Sequence, residues 1–243
     1  MDNQFTDSDQ RVRQALEHVR RTVDWDWEHQ PGHITPLYEL FDAFPVTVRE
    51  VEVLTYHHAA QFVTSQTGHD AIPVPENKHQ PLAGLLYAYK YEGVCRACIL
   101  VHQGDSVERR RFTVAHELGH YIMHFLPLVV HVSTDGVNMP MLLEGLSHTK
   151  EEALSEAEDT AEVTVRQHVT AVPRLSVGQM EREANGFAAA LLMPEATCRQ
   201  LVDVYQSRYG DRRSVLARRM ATDFLVSRLA MRWRLEALGL GVP

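Results

Sequence analysis

Cysteine is scarce in this 243-residue chain: Cys95, Cys98 and Cys198 are the only three. A small, odd number cannot build a disulfide framework and fits a reducing compartment. Long apolar runs are missing too. The stretches from Tyr121 to Val132 and from Phe187 to Met193 fall well short of the ~20 residues that cross a bilayer, and His124 interrupts the first. The opening MDNQFTDSDQ holds three aspartates and no greasy segment, so it lacks the pattern of a secretory signal. Positive charge is also short. Against 32 acidic residues stand 24 basic ones, a net charge of -8, which excludes a protein that coats nucleic acid by overall charge. No internal repeat is visible. These absences leave a soluble, cytoplasmic protein with no membrane contact, whose contacts with nucleic acid, if any, are local.

What is present is an ordinary globular composition, 44% apolar, sufficient for one sizeable domain or two small ones. A helix is expected from Ser8 to about Glu28, with Val12, Leu16, Val19 and Val23 on one stripe and Pro31-Gly32 as its stop. A strand at Val46 to Val53 and a short helix ending near Gln66 and Gly68 follow. Leu82 to Tyr91 and Val94 to His102, rich in β-branched, aromatic and aliphatic residues and joined at Gly93, read as a β-hairpin. Asp105 and Ser106 are good caps for a helix reaching about His124, and a second strong helix spans Val177 to Met193, stopped by Pro194. Between them the segment 131–176 reads as an acidic insertion, partly helical around Lys150 to Thr160, with a cluster of acids from Glu144 to Glu162. The expected division is an N-terminal helical extension (1–45), a core (46–194) carrying that insertion, and a helical C-terminal segment (195–243).

The chemistry is concentrated in Arg111-Phe112-Thr113-Val114-Ala115-His116-Glu117-Leu118-Gly119-His120. A spacing of four sets His116 and His120 about 40° apart around a helix axis and one turn from each other, so both imidazoles reach one ion. Glu117 lies about 100° round from His116, near such an ion without being forced to bind it. That arrangement suits zinc, which lowers the pKa of a bound water from 15.7 to about 7, with a carboxylate beside it as general base.

A third ligand is needed, and Met180-Glu181-Arg182-Glu183-Ala184-Asn185-Gly186-Phe187-Ala188 supplies candidates. On a helical wheel Ala184, Phe187, Ala188 and Leu191 share a face, with Glu181 about 60° from its centre and Glu183 about 100° on the other side. Only one can point at the ion, and Glu181 is favoured; Glu183 equally fits a solvated acid. Asn185, one turn after Glu181, can hold the distal nitrogen of a liganding histidine and set its tautomer.

RRRFTVAHELGHYIMH followed by ExEANxFAAALLMP resembles the ImmA/IrrE-type metallopeptidases, from about Leu82 to the C-terminus. The resemblance implies an α+β zincin-like fold with a small sheet, an HExxH active-site helix, a second ligand helix and helical extensions. It implies Zn2+ held by His116, His120 and Glu181, with Glu117 as catalytic base. It also implies a protein substrate, a helix-turn-helix repressor of the Xre type whose cleavage releases stress-response or mobile-element genes. The separation of 61 positions between His120 and Glu181 is longer than is usual in the family, because of the acidic insertion.

Other features have plainer readings. Cys95 and Cys98 are spaced like a redox or zinc pair, yet residues three apart on a strand face opposite sides. His124 continues the histidine stripe about 12 Å from His116 by helix rise, too far to share the ion, and is read as a structural hydrogen-bonding residue. Tyr87 and Tyr89 are weighed as oxyanion stabilisers against simple strand packing, and packing is preferred. Arg111 is read as an anchor for its helix. The arginine-rich tail, with Ser214 to Ala221 and Ser227 to Leu238 flanking a turn, reads either as helices closing the peptidase unit or as a helix-turn-helix DNA reader. The rival to a peptidase is therefore a DNA-binding or protein-binding regulator with a latent or degenerate zinc site.

Overall fold

Two consecutive stretches of alternating side chains, turned at Gly93 with its φ of 80°, form the centre of the molecule. The computed structural model describes residues 2–23, 34–67, 79–91, 93–127, 141–147, 176–210 and 212–240. The expected helix around Lys150 to Thr160 and the stop at Pro31-Gly32 lie outside them. In chain order the elements are α1 (Asp2–Val23), α2 (Leu37–Asp42), β1 (Val46–Val51), α3 (Tyr56–Thr67), β2 (Leu82–Tyr91), β3 (Val94–His102) and α4 (Val107–His120), which runs into a π turn (Tyr121–Phe125). Next come β4 (Met141–Ser147), α5 (Val177–Leu192), α6 (Glu195–Tyr209), α7 (Arg213–Phe224) and α8 (Arg228–Ala237). The fold is mixed α+β.

The sheet order is β1-β3-β2-β4. β1 runs parallel to β3, whereas β2 is antiparallel to both β3 and β4. β4 was not anticipated: it arises inside the segment read as an acidic insertion, and it pairs Met141 through Ser147 along β2, with an irregularity between Leu82 and Gly84.

The period-2 pattern divides the sheet's surroundings. Leu86, Ala88, Ala97, Ile99 and Val101 point into a core shared with α1, α2, α4, α5 and the C-terminal helices. Leu85, Tyr87 and Leu100 point the other way, against Leu54 and the α3 residues Tyr56, Ala59 and Val63. Tyr87, fully buried, and Tyr89 therefore lie on the face opposite α4, which fits packing and removes them as oxyanion stabilisers. Cys95 and Cys98 also pack on opposite faces, as strand geometry requires.

Local signals explain the helix limits. Ser106, Ser176 and Ser227 cap α4, α5 and α8, each hydroxyl accepting from the backbone N–H three residues on. Pro194 follows the end of α5. The α1 stripe buries Val12, Ala15 and Val19 against the core. Arg111 does anchor α4, donating through Nη2 to the Thr35 carbonyl at 2.9 Å. Leu225, at φ 52°, makes the left-handed turn between α7 and α8. Both of those helices bury apolar faces, Ala217, Met220, Ala221 and Phe224 on one and Met231 and Leu235 on the other, in the same core as α4. Arg234 of α8 donates to the Met193 carbonyl at 2.9 Å, tying the tail to the end of α5.

Two glycines set how closely α4 is approached. A Cβ on Gly119 would stand 3.0 Å from Phe187 Cδ1 and 3.3 Å from Ala184 Cα, so α4 and α5 cross nearly backbone to backbone. A glycine inside a helix costs about 1 kcal/mol relative to alanine, and the close crossing is what that cost permits. On the sheet side, a Cβ on Gly84 would collide with Thr113 Cγ2 and stand 3.1 Å from Glu117 Oε1. Thr113 is buried and β-branched, so it has little freedom to yield. Gly84→Ala is expected to push α4 off β2 at about 1–3 kcal/mol. In a chain of this size each kcal/mol lowers Tm by about 2–4 °C in a thermal melt. Coincident melting of the variant and the original chain would show that β2 and α4 are not in tight contact.

Candidate metal centre

α4 and α5 bring three side chains from distant parts of the chain to one point. His116 and His120, one turn apart on α4, have their Nε2 atoms 3.0 Å apart. Glu181, in the first turns of α5, places Oε2 3.7 Å from His116 Nε2 and Oε1 3.8 Å from His120 Nε2. One ligand atom from each of the three lies within 4.8 Å of the others, a group that can hold a metal ion. Donors at ~2.0–2.1 Å in a tetrahedron stand about 3.3 Å apart, so these separations are of the right size for a shared ion. Two nitrogens and a carboxylate oxygen are also a donor set that suits zinc. Both imidazoles are buried, and the Glu181 side chain is 15% exposed.

Burial sets the protonation of the pair. Desolvation, reinforced by neighbouring His120, depresses the His116 pKa to about 4 against the opposing pull of Glu181. For His120 desolvation again leads, with His124 next, and the value falls to about 3. Both rings are therefore neutral at pH 7, the form in which imidazole binds metals.

Each ring also has a partner on its outer nitrogen. His116 Nδ1 lies 2.9 Å from Asn185 Oδ1, which, as an acceptor, requires Nδ1 to carry the hydrogen and leaves the Nε2 lone pair directed inward. His120 Nδ1 lies 2.9 Å from His124 Nδ1, on the π turn. Four residues on from His120, His124 lies on the same side of the helix, with ring centroids 4.9 Å apart. His124 Nε2 in turn faces Glu183 Oε2 at 3.2 Å.

Glu117 points from α4 toward β2, fully buried, beside the place a Gly84 side chain would fill. Glu183 departs from the reading of a solvated acid: it is 1% exposed and holds the end of this hydrogen-bonded series. Desolvation alone would raise its carboxyl pKa, but hydrogen bonds from His124 and Arg11 outweigh it and hold the group below the ordinary carboxylate value. The periodicity of α5 could not show this, because the partner that makes burial tolerable, Arg11, is on α1.

The cysteines stand apart from the centre. Burial pushes the Cys98 thiol up to about 11 and raises Cys95, so neither is predisposed to act as a thiolate at pH 7.

Two histidines one turn apart on a helix, joined by a carboxylate from a second helix crossing it, are the ligand arrangement of a metallopeptidase. The chain matches the M78 peptidase family, described as the IrrE N-terminal-like domain, over residues 72–129 and 156–236, and belongs to that family. The two matched stretches carry both helices of the centre and leave out residues 130–155, which include β4. Among the curated proteins nothing matches the chain. No helix among the described residues is long and apolar enough to cross a membrane.

The depressed imidazole values generate a pH signature in the metal-free protein. The unfolded chain protonates these histidines near pH 6.5 and the folded one only near 4 and 3, so stability is present above 6.5 and falls as pH drops below it. The slope from the two rings reaches at most about 2.7 kcal/mol per pH unit. Denaturant unfolding in a chelator between pH 7 and 4 measures it; stability unchanged over that interval would show that the rings are not held neutral.

Proposed function

We propose that this protein is a zinc-dependent endopeptidase that cleaves a protein partner, and that the partner is a helix-turn-helix repressor of the Xre type. The observation that carries the reading is the convergence of His116, His120 and Glu181, together with the family membership. In this reading His116, His120 and Glu181 hold Zn2+, Glu117 is the catalytic base and Asn185 orients His116. Zinc, when bound, supplies Lewis acidity to the carbonyl under attack and acidifies water.

The chain's own residues do the rest. Glu117 accepts a proton from the attacking water at a carboxylate oxygen and returns it to the leaving amine. Its burial between α4 and β2 keeps the carboxylate in one place, so little ordering remains at the moment of reaction. Asn185 accepts from His116 Nδ1 and prevents that ring from turning its hydrogen inward. An extended substrate adds to a sheet by pairing with a free strand edge. Since β2 is already flanked by β3 and β4, the outer edge of β4 is the edge such a chain would meet on this side.

The placement of β4 also supports a second reading, a peptidase kept latent by the 131–176 segment. A strand outside the family match covers the edge of β2 where that strand packs against α4. Removal of residues 131–175 distinguishes the two: increased cleavage indicates latency, and loss of cleavage indicates that β4 forms part of the substrate cleft.

Glu117→Gln is expected to keep its metal and lower cleavage by about 10²-fold or more, the usual contribution of a general base. His116→Ala is expected to lose both. Metal content by mass spectrometry and fragment analysis after incubation with helix-turn-helix repressors encoded nearby check both outcomes. Full cleavage by the Glu117→Gln protein would remove this mechanism.

A further inference from the structure

The outer nitrogens of the two histidines are held in different ways. His116 ends on the neutral Asn185, one hydrogen bond away. His120 leads instead into a buried series of three further side chains, ending on the N-terminal helix. His120 Nδ1 and His124 Nδ1 are 2.9 Å apart, and His124 Nε2 and Glu183 Oε2 are 3.2 Å apart. Glu183 Oε1 accepts from Arg11 Nε at 3.0 Å, from Arg11 Nη2, from Ser8 Oγ at 3.2 Å and from Gln179 Nε2 at 3.2 Å. The side chains of His124 and Glu183 are 2% and 0% exposed, and that of Arg11 is 30% exposed and also meets Asp7 at 3.0 Å.

Hydrogen-bond chemistry allows one arrangement of protons along this series once His120 binds through Nε2. His120 Nδ1 then carries a hydrogen and donates it, so His124 Nδ1 must accept. A neutral ring accepting at Nδ1 carries its hydrogen at Nε2, and that hydrogen faces Glu183, whose carboxylate can only accept. The buried charge of Glu183 is tolerable because the Arg11 guanidinium balances it. Arg11 thus stands at the end of a series in which every link fixes the next.

We propose that Arg11 and Glu183 are positioning residues for the metal, acting through His124 to fix the orientation and tautomer of His120. Helix α1, which precedes the family match, thereby completes the centre from outside the segment that contributes the ligands. The inference rests on the metal-binding reading of His116, His120 and Glu181 given above. It also accounts for the burial of Glu183, which is not one of the proposed ligands.

The test uses the full chain stripped of metal and reloaded, with Zn2+ affinity measured by competition against a chromophoric chelator. The Co2+-substituted visible spectrum supplies a second readout, sensitive to ligand geometry. Glu183→Gln keeps the size of the side chain and removes its charge; Arg11→Met removes the guanidinium. Each is expected to weaken Zn2+ binding by about 10-fold or more, the usual consequence of losing a partner behind a ligand, and to alter the Co2+ spectrum. Arg11→Lys is expected to recover most of the affinity. Asp7→Ala, which removes only the outer contact of Arg11, is expected to change neither readout.

A purely structural role for the series would lower the melting temperature of the metal-free Arg11→Met and Glu183→Gln proteins while leaving affinity and spectrum as in the original chain. That result overturns the inference. Should Glu183→Gln fail to fold, the comparison of Arg11→Met with Arg11→Lys decides the matter alone. An original chain that takes up no Zn2+, or keeps it after His116→Ala, overturns the metal-binding reading itself and is distinguishable from failure of the positioning series.

Discussion

The close crossing of α4 and α5 at Gly119 is the constraint on which the centre depends. A glycine on one helix faces the Ala184 backbone and the Phe187 ring of the other at separations that a methyl group would fill only by displacing them. That proximity brings a carboxylate 61 positions away to within 3.8 Å of both imidazoles. It also buries the histidine rings, and their burial is the leading cause of their depressed pKa values. Geometry and protonation thus have a common origin in one packing contact.

A second contact, between β2 and α4, fixes the carboxylate with the proposed basic role. Gly84 opens a gap into which Thr113 and Glu117 fit, and the alternation of β2 sends Tyr87 and Tyr89 to the α3 side. The sheet therefore contributes to the centre by shape, through a missing side chain at Gly84. The outer nitrogens of the histidines are treated asymmetrically, one by an amide on α5 and the other by a series that leaves α4 through its π turn and reaches α1.

Much of this was legible in the residues because the signals were local. The hairpin limits at Leu82, Tyr91, Val94 and His102 agree with the sequence reading, since the β-rich stretches are separated at a glycine suited to positive φ. Ser106 and Pro194 mark helix limits through one hydrogen bond and one missing donor. His116 and His120 converge by helical spacing alone, and the choice of Glu181 over Glu183 as the acid nearer the pair follows from the apolar face of α5. What was not legible depends on partners distant in the chain. Nothing in Tyr121-Ile122-Met123-His124-Phe125 announces a π turn, and Glu183 is buried only because Arg11 reaches it from α1. β4 escapes the sequence reading because its seven residues, four of them apolar and one acidic, adjoin the acid cluster that follows, and strand pairing there is decided by the vacant side of β2.

The strand order has a consequence for how such a molecule can diversify. With β3 and β4 on either side, β2 has no side left to offer, and β1 is separated from it by β3. A polypeptide recruited to the sheet near Glu117 would therefore dock against β4, within the stretch 130–155 that the family match omits. Under the proposed function, selectivity and catalysis would then reside in separate parts of the chain, so that revision of the former need not disturb the helix pair that carries His116, His120 and Glu181.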